Sequence, residues 1–456
     1  MHNVHDNILE CVGSTPLVRL NSVTKGLKAT VYAKVEMLNP GASVKDRIAM
    51  QIIEDAEASG ELKPGGCIVE ATSGNTGAGL AMAAAIKGYK CIFILPDKQS
   101  EEKRAALRAY GAEVVVTPTN VAPEDPTSYY SVSRRIADET PNAFYANQYH
   151  NPSNPKAHVR FTGPELYDQI DGKIDAFIAG IGTGGTITGV GQYLKSKKPD
   201  TQIVGVDPVG SLYYDLFKTG KMTEATSYVL EGIGEDFLPS TMDFSCVDDM
   251  IRVHDTECFQ MTRRLAQEEG LFVGGSCGAA VAGALKWVRR NDREGMVVVV
   301  LLPDSGSRYM SKIYNDEWMR DQGFLAPSPE LGTVADLRAL LGPGTLDRID
   351  ADTTASQALE AMSSRKLEVA VATHGDDIVG LVDAATLGDA DGGHAIGDLA
   401  VNDYCVISDD TEIMVLQALL DRSRRAIILE GKQPTATLGP DHLQRYLQHR
   451  SETQHG

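Results

Sequence analysis

Cys67-Ile68-Val69-Glu70-Ala71-Thr72-Ser73-Gly74-Asn75-Thr76-Gly77 is the stretch that decides the fold. Its first five residues form an apolar run of strand length, residues 77–87 read as a helix of small side chains, and a turn of hydroxyls, amide and glycine joins them. A strand that hands directly to a helix belongs to a βαβ unit. The same rhythm continues on both sides. Downstream come apolar runs at 91–95 and 114–117 with helices at 101–110 and 128–140. A second series follows, with strands at 174–181, 203–206 and 296–302 and helices at 186–197, 256–269 and 278–289. Upstream, 31–36 alternates as a strand and delivers the chain to a helix that opens at Lys45. The alternation predicts two α/β lobes built on parallel-rich sheets with helices on both faces.

Ligands of such sheets lie beyond the carboxyl ends of the strands, so the loops that follow strands are where chemistry is expected. Three of them stand out. Residues 71–77 offer hydroxyls, an amide and backbone N–H groups that suit a carboxylate or other anion. Gly180-Ile181-Gly182-Thr183-Gly184-Gly185-Thr186 leads from strand to helix, with glycines that let backbone N–H groups close on a phosphate. No lysine follows in the register of a nucleotide triphosphate loop, so a phosphate monoester suits it better. The third loop, Gly274-Gly275-Ser276-Cys277-Gly278, sets Ser276 before a helix. In Ser43-Val44-Lys45-Asp46-Arg47, Lys45 stands at a helix start, where the helix dipole opposes its charge and favours a lowered pKa.

Composition narrows the class. The chain has 456 residues, enough for two or three domains at 42% hydrophobic content. A net charge of −19 disfavours nucleic acid and anionic membranes as partners. Seven cysteines without a Cys-x-x-Cys pair argue against a disulfide framework and a structural zinc, and for a reduced, cytoplasmic setting. Neither a signal segment nor a stretch of about 18 apolar residues is present, so no membrane association is expected.

A lysine for a Schiff base, a phosphate cup, an anion loop and a serine for a ring nitrogen are together what a pyridoxal-phosphate site requires. With Gly13-Ser14-Thr15-Pro16, Glu231-Gly232-Ile233-Gly234 and Leu302-Pro303-Asp304-Ser305 added, the chain resembles the fold-type II pyridoxal-phosphate enzymes over about its first 325 residues. Among them it is more similar to the cystathionine β-synthases than to the cysteine synthases. That resemblance implies Lys45 as the lysine joined to pyridoxal 5'-phosphate, with Gly182, Thr183, Gly184, Gly185 and Thr186 on its phosphate. It implies Asn75 on the ring hydroxyl and Ser276 on the ring nitrogen. Thr72, Ser73, Thr76 and Gln148 would take the substrate carboxylate, and Lys45 would act as α-proton base and leaving-group acid. The reaction implied joins L-serine and L-homocysteine into L-cystathionine and water, with hydrogen sulfide release from cysteine as a side activity. A cysteine synthase using O-acetylserine, and a catalytically silent nucleotide sensor, stay open as alternatives. The animal members carry a haem; with only His2, His5 and Cys11 ahead of the Gly13 motif, no haem is expected here, and no metal. Where animal relatives often carry tyrosine, the position after Gly234 is Glu235, which faces either the substrate or solvent. Asp304 is read as a buried partner that sets polarity near the ring. The family also suggests a homodimer or higher homo-oligomer.

The expected domains are a catalytic region at 1–325, a linker at 326–340 and a repeat-containing region at 341–456. In the last, Asp352-Thr353 leads to Gln357-Ala358-Leu359 as Asp410-Thr411 leads to Gln417-Ala418-Leu419, each before an apolar strand. The pair resembles tandem cystathionine β-synthase domains, a Bateman module. An adenosine derivative at Thr437 and Asp441 and a purely structural role are both open.

Overall fold

The computed structural model describes residues 4–119, 121, 125–325, 331–431 and 433–454, with side chains described through 450. It divides into two compact units, Met1–Leu325 and Ala326–Gly456.

Unit one carries two sheets. Strands β1 (Leu17–Arg19), β2 (Thr30–Val35), β3 (Cys67–Ala71), β4 (Lys90–Pro96), β5 (Glu113–Thr117), β6 (Ala143–Tyr145), β7 (Ala176–Gly180), β8 (Gln202–Pro208), β9 (Asp249–Val253) and β10 (Val297–Leu302) are sorted between them. The smaller sheet, ordered β5-β4-β3-β6, is wholly parallel. The larger is ordered β1-β2-β10-β7-β8-β9 and is parallel except for its edge strand β1. Because helices cover both faces, β3 is buried along its whole length, including Glu70, and its sequence shows no alternation. The expected two α/β lobes and every strand named above are present, with bounds shifted by one or two residues. Three short strands escaped the sequence reading: β1, β6 and β9. Helix Asn75–Lys87 starts two residues earlier than expected, and helix Gly275–Asn291 starts three earlier, so Asn75 and Ser276 lie in first helical turns.

Unit two repeats one motif. Its first copy runs β11 (Arg348–Asp350), helix Ala355–Arg365, β12 (Val369–His374) and β13 (Asp377–Asp383). The second runs β14 (Tyr404–Ile407), helix Ile413–Leu420, β15 (Arg425–Glu430) and β16 (Gln433–Leu438). In each copy the first two strands pair in parallel and the last two form a hairpin. The hairpin register slips after the fourth residue of the middle strand in both, at Ala372 and at Ile428. The expected linker is shorter than 326–340. Residues 326–330 lie outside the described residues, and Val334–Leu341 is a capped helix with Val334 and Leu337 in the core of unit two. Among the described residues no helix is long and apolar enough to cross a membrane.

Candidate active site

The two sheets of unit one point their carboxyl ends at one cavity of about 310 Å³, lined by Lys45, Ser73, Asn75, Gln148, Gly182 and Thr183 among others. Residues up to 191 positions apart in sequence, from Lys45 to Asp236, thus meet where the parallel strands end. Lys45 opens helix Lys45–Ser59, whose N-terminal turn is tied down by Lys45 N–H donating to Ser43 Oγ at 3.2 Å. Burial lowers the Lys45 amine below its ordinary value, against the pull of the Asp304 and Glu235 carboxylates. Desolvation is therefore the main cause of the lowering, where the sequence pointed to the helix dipole.

The glycine loop is a cup that tolerates no side chain. A Cβ on Gly182 would stand 2.8 Å from the Gly232 carbonyl oxygen, and one on Gly185 would stand 1.9 Å from Asn154 Oδ1. Gly184 has a left-handed φ of +81°. Helix Gly185–Lys197 begins there, so its first-turn N–H groups open toward the loop. Asn154 Nδ2 donates to Thr183 Oγ1 at 3.0 Å, and Thr241 Oγ1 donates to the Thr183 carbonyl at 2.6 Å. Gly182, Thr183, Gly184 and Thr186 line a small annex that also reaches Lys45.

The 72–76 loop divides its labour. Thr72 Oγ1 accepts from the N–H groups of Gly74 at 2.9 Å and Gly77 at 3.3 Å. Thr76 Oγ1 donates to Gln148 Oε1 at 2.6 Å, and Gln148 Nε2 donates to the Ala71 carbonyl at 3.0 Å. Ser73 and Gln148 line the main cavity, whereas Thr72 and Thr76 hold the loop in shape behind them.

Asn75 is oriented by Asp304 together with Arg308 and Tyr309, which the sequence did not single out. Arg308 donates to its amide oxygen and to the Gly41 carbonyl, while Asn75 Nδ2 donates to Asp304 Oδ2 at 2.8 Å. Tyr309 also donates to that oxygen, at 2.6 Å. Asp304 is fully buried, as a structural partner should be. Thr186 Oγ1 lies 3.1 Å from Nε2 of His158, whose basicity burial suppresses strongly, with Lys45 and Arg47 adding to the effect. Only the five-residue π-turn His158–Thr162, buried at its two ends, marks this histidine out, a feature of structure rather than of sequence.

The pyridoxal-phosphate dependent enzyme family matches residues 8–304. The chain belongs to that family. It is 49% identical over 321 residues to "Cystathionine beta-synthase" of Mus musculus, covering 70% of this chain and 57% of that protein. It is 42% identical to "Cystathionine beta-synthase" of Saccharomyces cerevisiae, covering 69% of this chain and 64% of that one. The match thus spans under two thirds of these relatives' length. Among solved structures, the O-acetylserine dependent cystathionine beta-synthase from Helicobacter pylori aligns with a TM-score of 0.63 at 36% identity, covering 68% of this chain and 99% of that one. Unit one has the fold-type II architecture of these enzymes.

The residues present fit the family's cofactor. The cup is closed to any Cβ yet open to backbone donors, as a phosphate requires. Asn75 Nδ2 keeps a second N–H for a ring hydroxyl after serving Asp304. Ser276 lies just behind the cavity wall, 2% exposed. A Cβ on Gly232 would stand 3.9 Å from its Oγ, so the bare backbone at Gly232, with φ of +89°, leaves the serine within reach of a ring.

In unit two, Thr437 and Asp441 line one cavity of about 420 Å³ together with Thr345, Asp347 and Arg425. Asp441 Oδ1 accepts from Arg425 at 2.9 Å. At the end of β13 in the first copy, Asp383 caps helix Ala384–Asp389 and pairs with Arg424. Near the N-terminus, Cys11 is exposed, His5 lies 3.4 Å from Glu10, and His2 falls outside the described residues.

Proposed function

We propose that the chain is a pyridoxal-phosphate-dependent β-replacement enzyme that condenses L-serine with L-homocysteine to L-cystathionine and water. The observation that carries this reading is a desolvated lysine amine in one cavity with a glycine cup and a carboxylate loop. When bound, pyridoxal phosphate supplies the electron sink that acidifies the amino acid's α-carbon. Gly182, Thr183, Gly184, Gly185 and Thr186 hold its phosphate, Asn75 its ring hydroxyl and Ser276 its ring nitrogen. Ser276, unlike an aspartate, does not stabilise a protonated ring, which favours loss of a β-substituent over amino-group transfer. Ser73 and Gln148, braced by Thr72 and Thr76, orient the substrate carboxylate. Lys45 Nζ takes the α-proton and returns it to the departing hydroxyl, a poor leaving group without protonation.

The relatives named cystathionine β-synthase support serine and homocysteine as the substrates. The Helicobacter pylori structure, named for O-acetylserine, supports an activated serine as the second reading. Turnover of serine plus homocysteine compared with O-acetylserine plus homocysteine or sulfide decides between them. Faster turnover of O-acetylserine, with no cystathionine from serine, overturns the main reading.

We further propose that unit two is a tandem pair of cystathionine β-synthase domains that takes an adenosine derivative at Thr437 and Asp441. The incoming ribose would share the Asp441 carboxylate with Arg425. Titration with S-adenosylmethionine, ATP and AMP in turn tests this, and absence of binding heat from all three leaves unit two a structural module. The enzyme works as a homodimer or larger and without haem; a Soret band in the purified protein would overturn the last point.

A further inference from the structure

Two amino acids must share the cavity in the reaction proposed above, and the 72–76 loop accounts for only one carboxylate, at the end near Lys45. The cavity wall carries further charges of its own. Glu231 lines the cavity but is consumed by Lys103 at 2.5 Å and Lys312 at 2.6 Å. Glu235 and Lys98 line it too, and among the described residues neither has an ion-pair partner within 4 Å. They are near enough to interact, since Lys98 is the main positive influence on the Glu235 carboxyl. Burial and the neighbouring Asp236 push Glu235 well above the usual carboxylate range, the condition of a carboxylate that lacks its cation.

The wall beside these two groups is aromatic. Tyr130 packs edge-on against Tyr149, ring centroids 5.6 Å apart, and against Phe237 at 5.2 Å. The Tyr130 hydroxyl hydrogen-bonds Glu235, and the Lys98 ammonium lies 5.6 Å from the Tyr228 ring centroid. A carboxylate and an ammonium flanking an aromatic wall complement a zwitterion with an apolar side chain.

We propose that Glu235 and Lys98 form the recognition clamp for the second amino acid, Glu235 taking its ammonium and Lys98 its carboxylate. The inference rests on the β-replacement reading. It makes the chain selective for an amino-acid thiol over thiols of the same length that lack one charge.

The test uses full-length holoenzyme with saturating serine and three thiols: L-homocysteine, 4-mercaptobutanoate without the ammonium, and 3-mercaptopropylamine without the carboxylate. In the wild type, kcat/KM for homocysteine exceeds that for either analogue. Glu235→Gln raises KM for homocysteine about 10- to 100-fold, the worth of one charge-assisted hydrogen bond, and collapses its preference over 4-mercaptobutanoate. Lys98→Gln, at an exposed residue, collapses the preference over 3-mercaptopropylamine instead. Cystathionine formation with both preferences unchanged in the variants overturns the clamp alone. A wild type that makes no cystathionine overturns the β-replacement reading with it.

Discussion

Replacing Lys45 by alanine deletes an amine that no neighbour can supplant, because Lys98, the other lysine lining the cavity among the described residues, does not line the annex that Lys45 reaches. Loss of its acid–base work alone lowers turnover about 10²–10⁴-fold. The fold survives, since among the described residues Lys45 contributes no ion pair. Circular dichroism with a cystathionine assay checks both halves, and near-normal product from Lys45→Ala would refute the role given to it. Glu70 makes a second prediction at this scale. It is fully buried on β3, accepts from the Gln148 N–H at 3.2 Å, and leaves Oε2 without a partner. Burial lifts its carboxyl from the ordinary 4.5 to about 8. A carboxyl that holds its proton more tightly folded than unfolded stabilises fully below the unfolded value, and that contribution is lost as pH rises toward 8. Glu70→Gln should therefore gain stability relative to the wild type between about pH 5 and pH 8 and level off above. Urea denaturation at pH 5, 7 and 9 reads the difference, and parallel curves would contradict it.

At the scale of elements, helix Lys45–Ser59 is fastened to the larger sheet through charge. Arg47 pairs with Glu36 at 2.7 Å and with Glu165 at 2.8 Å, and Lys34 on β2 pairs with the same Glu165 at 2.5 Å. This network sets the angle at which Lys45 enters the cavity. Burial pushes the Glu165 carboxyl up, but Arg47 and Lys34 together hold it down at about 2. Its stabilisation is present above about pH 4.5 and is lost as pH falls toward 2. Glu165→Gln should cost about 3 kcal/mol at neutral pH, the low end for a broken buried pair because the side chain is 19% exposed. It should also flatten the acid limb of the stability curve, and a variant whose acid limb matches the wild type would count against the network. The sequence made the elements legible and the network illegible, for a physical reason. Strand–loop–helix periodicity is local, so 67–77, 180–186 and Lys45 could be read directly. Arg308 on Asn75, His158 on Thr186 and Glu165 on Arg47 join residues 28 to 233 positions apart, and nothing in the spacing of a chain records such pairing. The short strands β1, β6 and β9 were missed because three to five residues carry too little pattern. Glu235 was visible as a departure from its relatives, but only the cavity decides which way it faces.

At the scale of the whole molecule, each unit owns its core. The large clusters of unit one draw on residues such as Val31, Val206, Phe259, Val300 and Met319, and end at Leu325. Those of unit two, built on Val334, Leu416, Ile428 and Tyr446 and on Ile349, Met362, Ala370 and Val382, begin after it. Among the described residues, each sheet likewise draws its strands from one unit. A core that closes within its own segment meets the condition for independent folding, and the cavity with Lys45, the glycine cup and the 72–76 loop lies wholly within the first. The fragment Met1–Leu325 should therefore fold cooperatively, take up pyridoxal phosphate with its visible absorbance, and turn over substrate without unit two. It should also lose any response to adenosine derivatives, because the cavity at Thr437 and Asp441 leaves with the second unit. Calorimetry of the full chain should resolve two transitions, of which an adenosine ligand raises only the one missing from the fragment. A fragment that is unfolded, or folded but unable to hold the cofactor, would mean that unit two completes the catalytic unit.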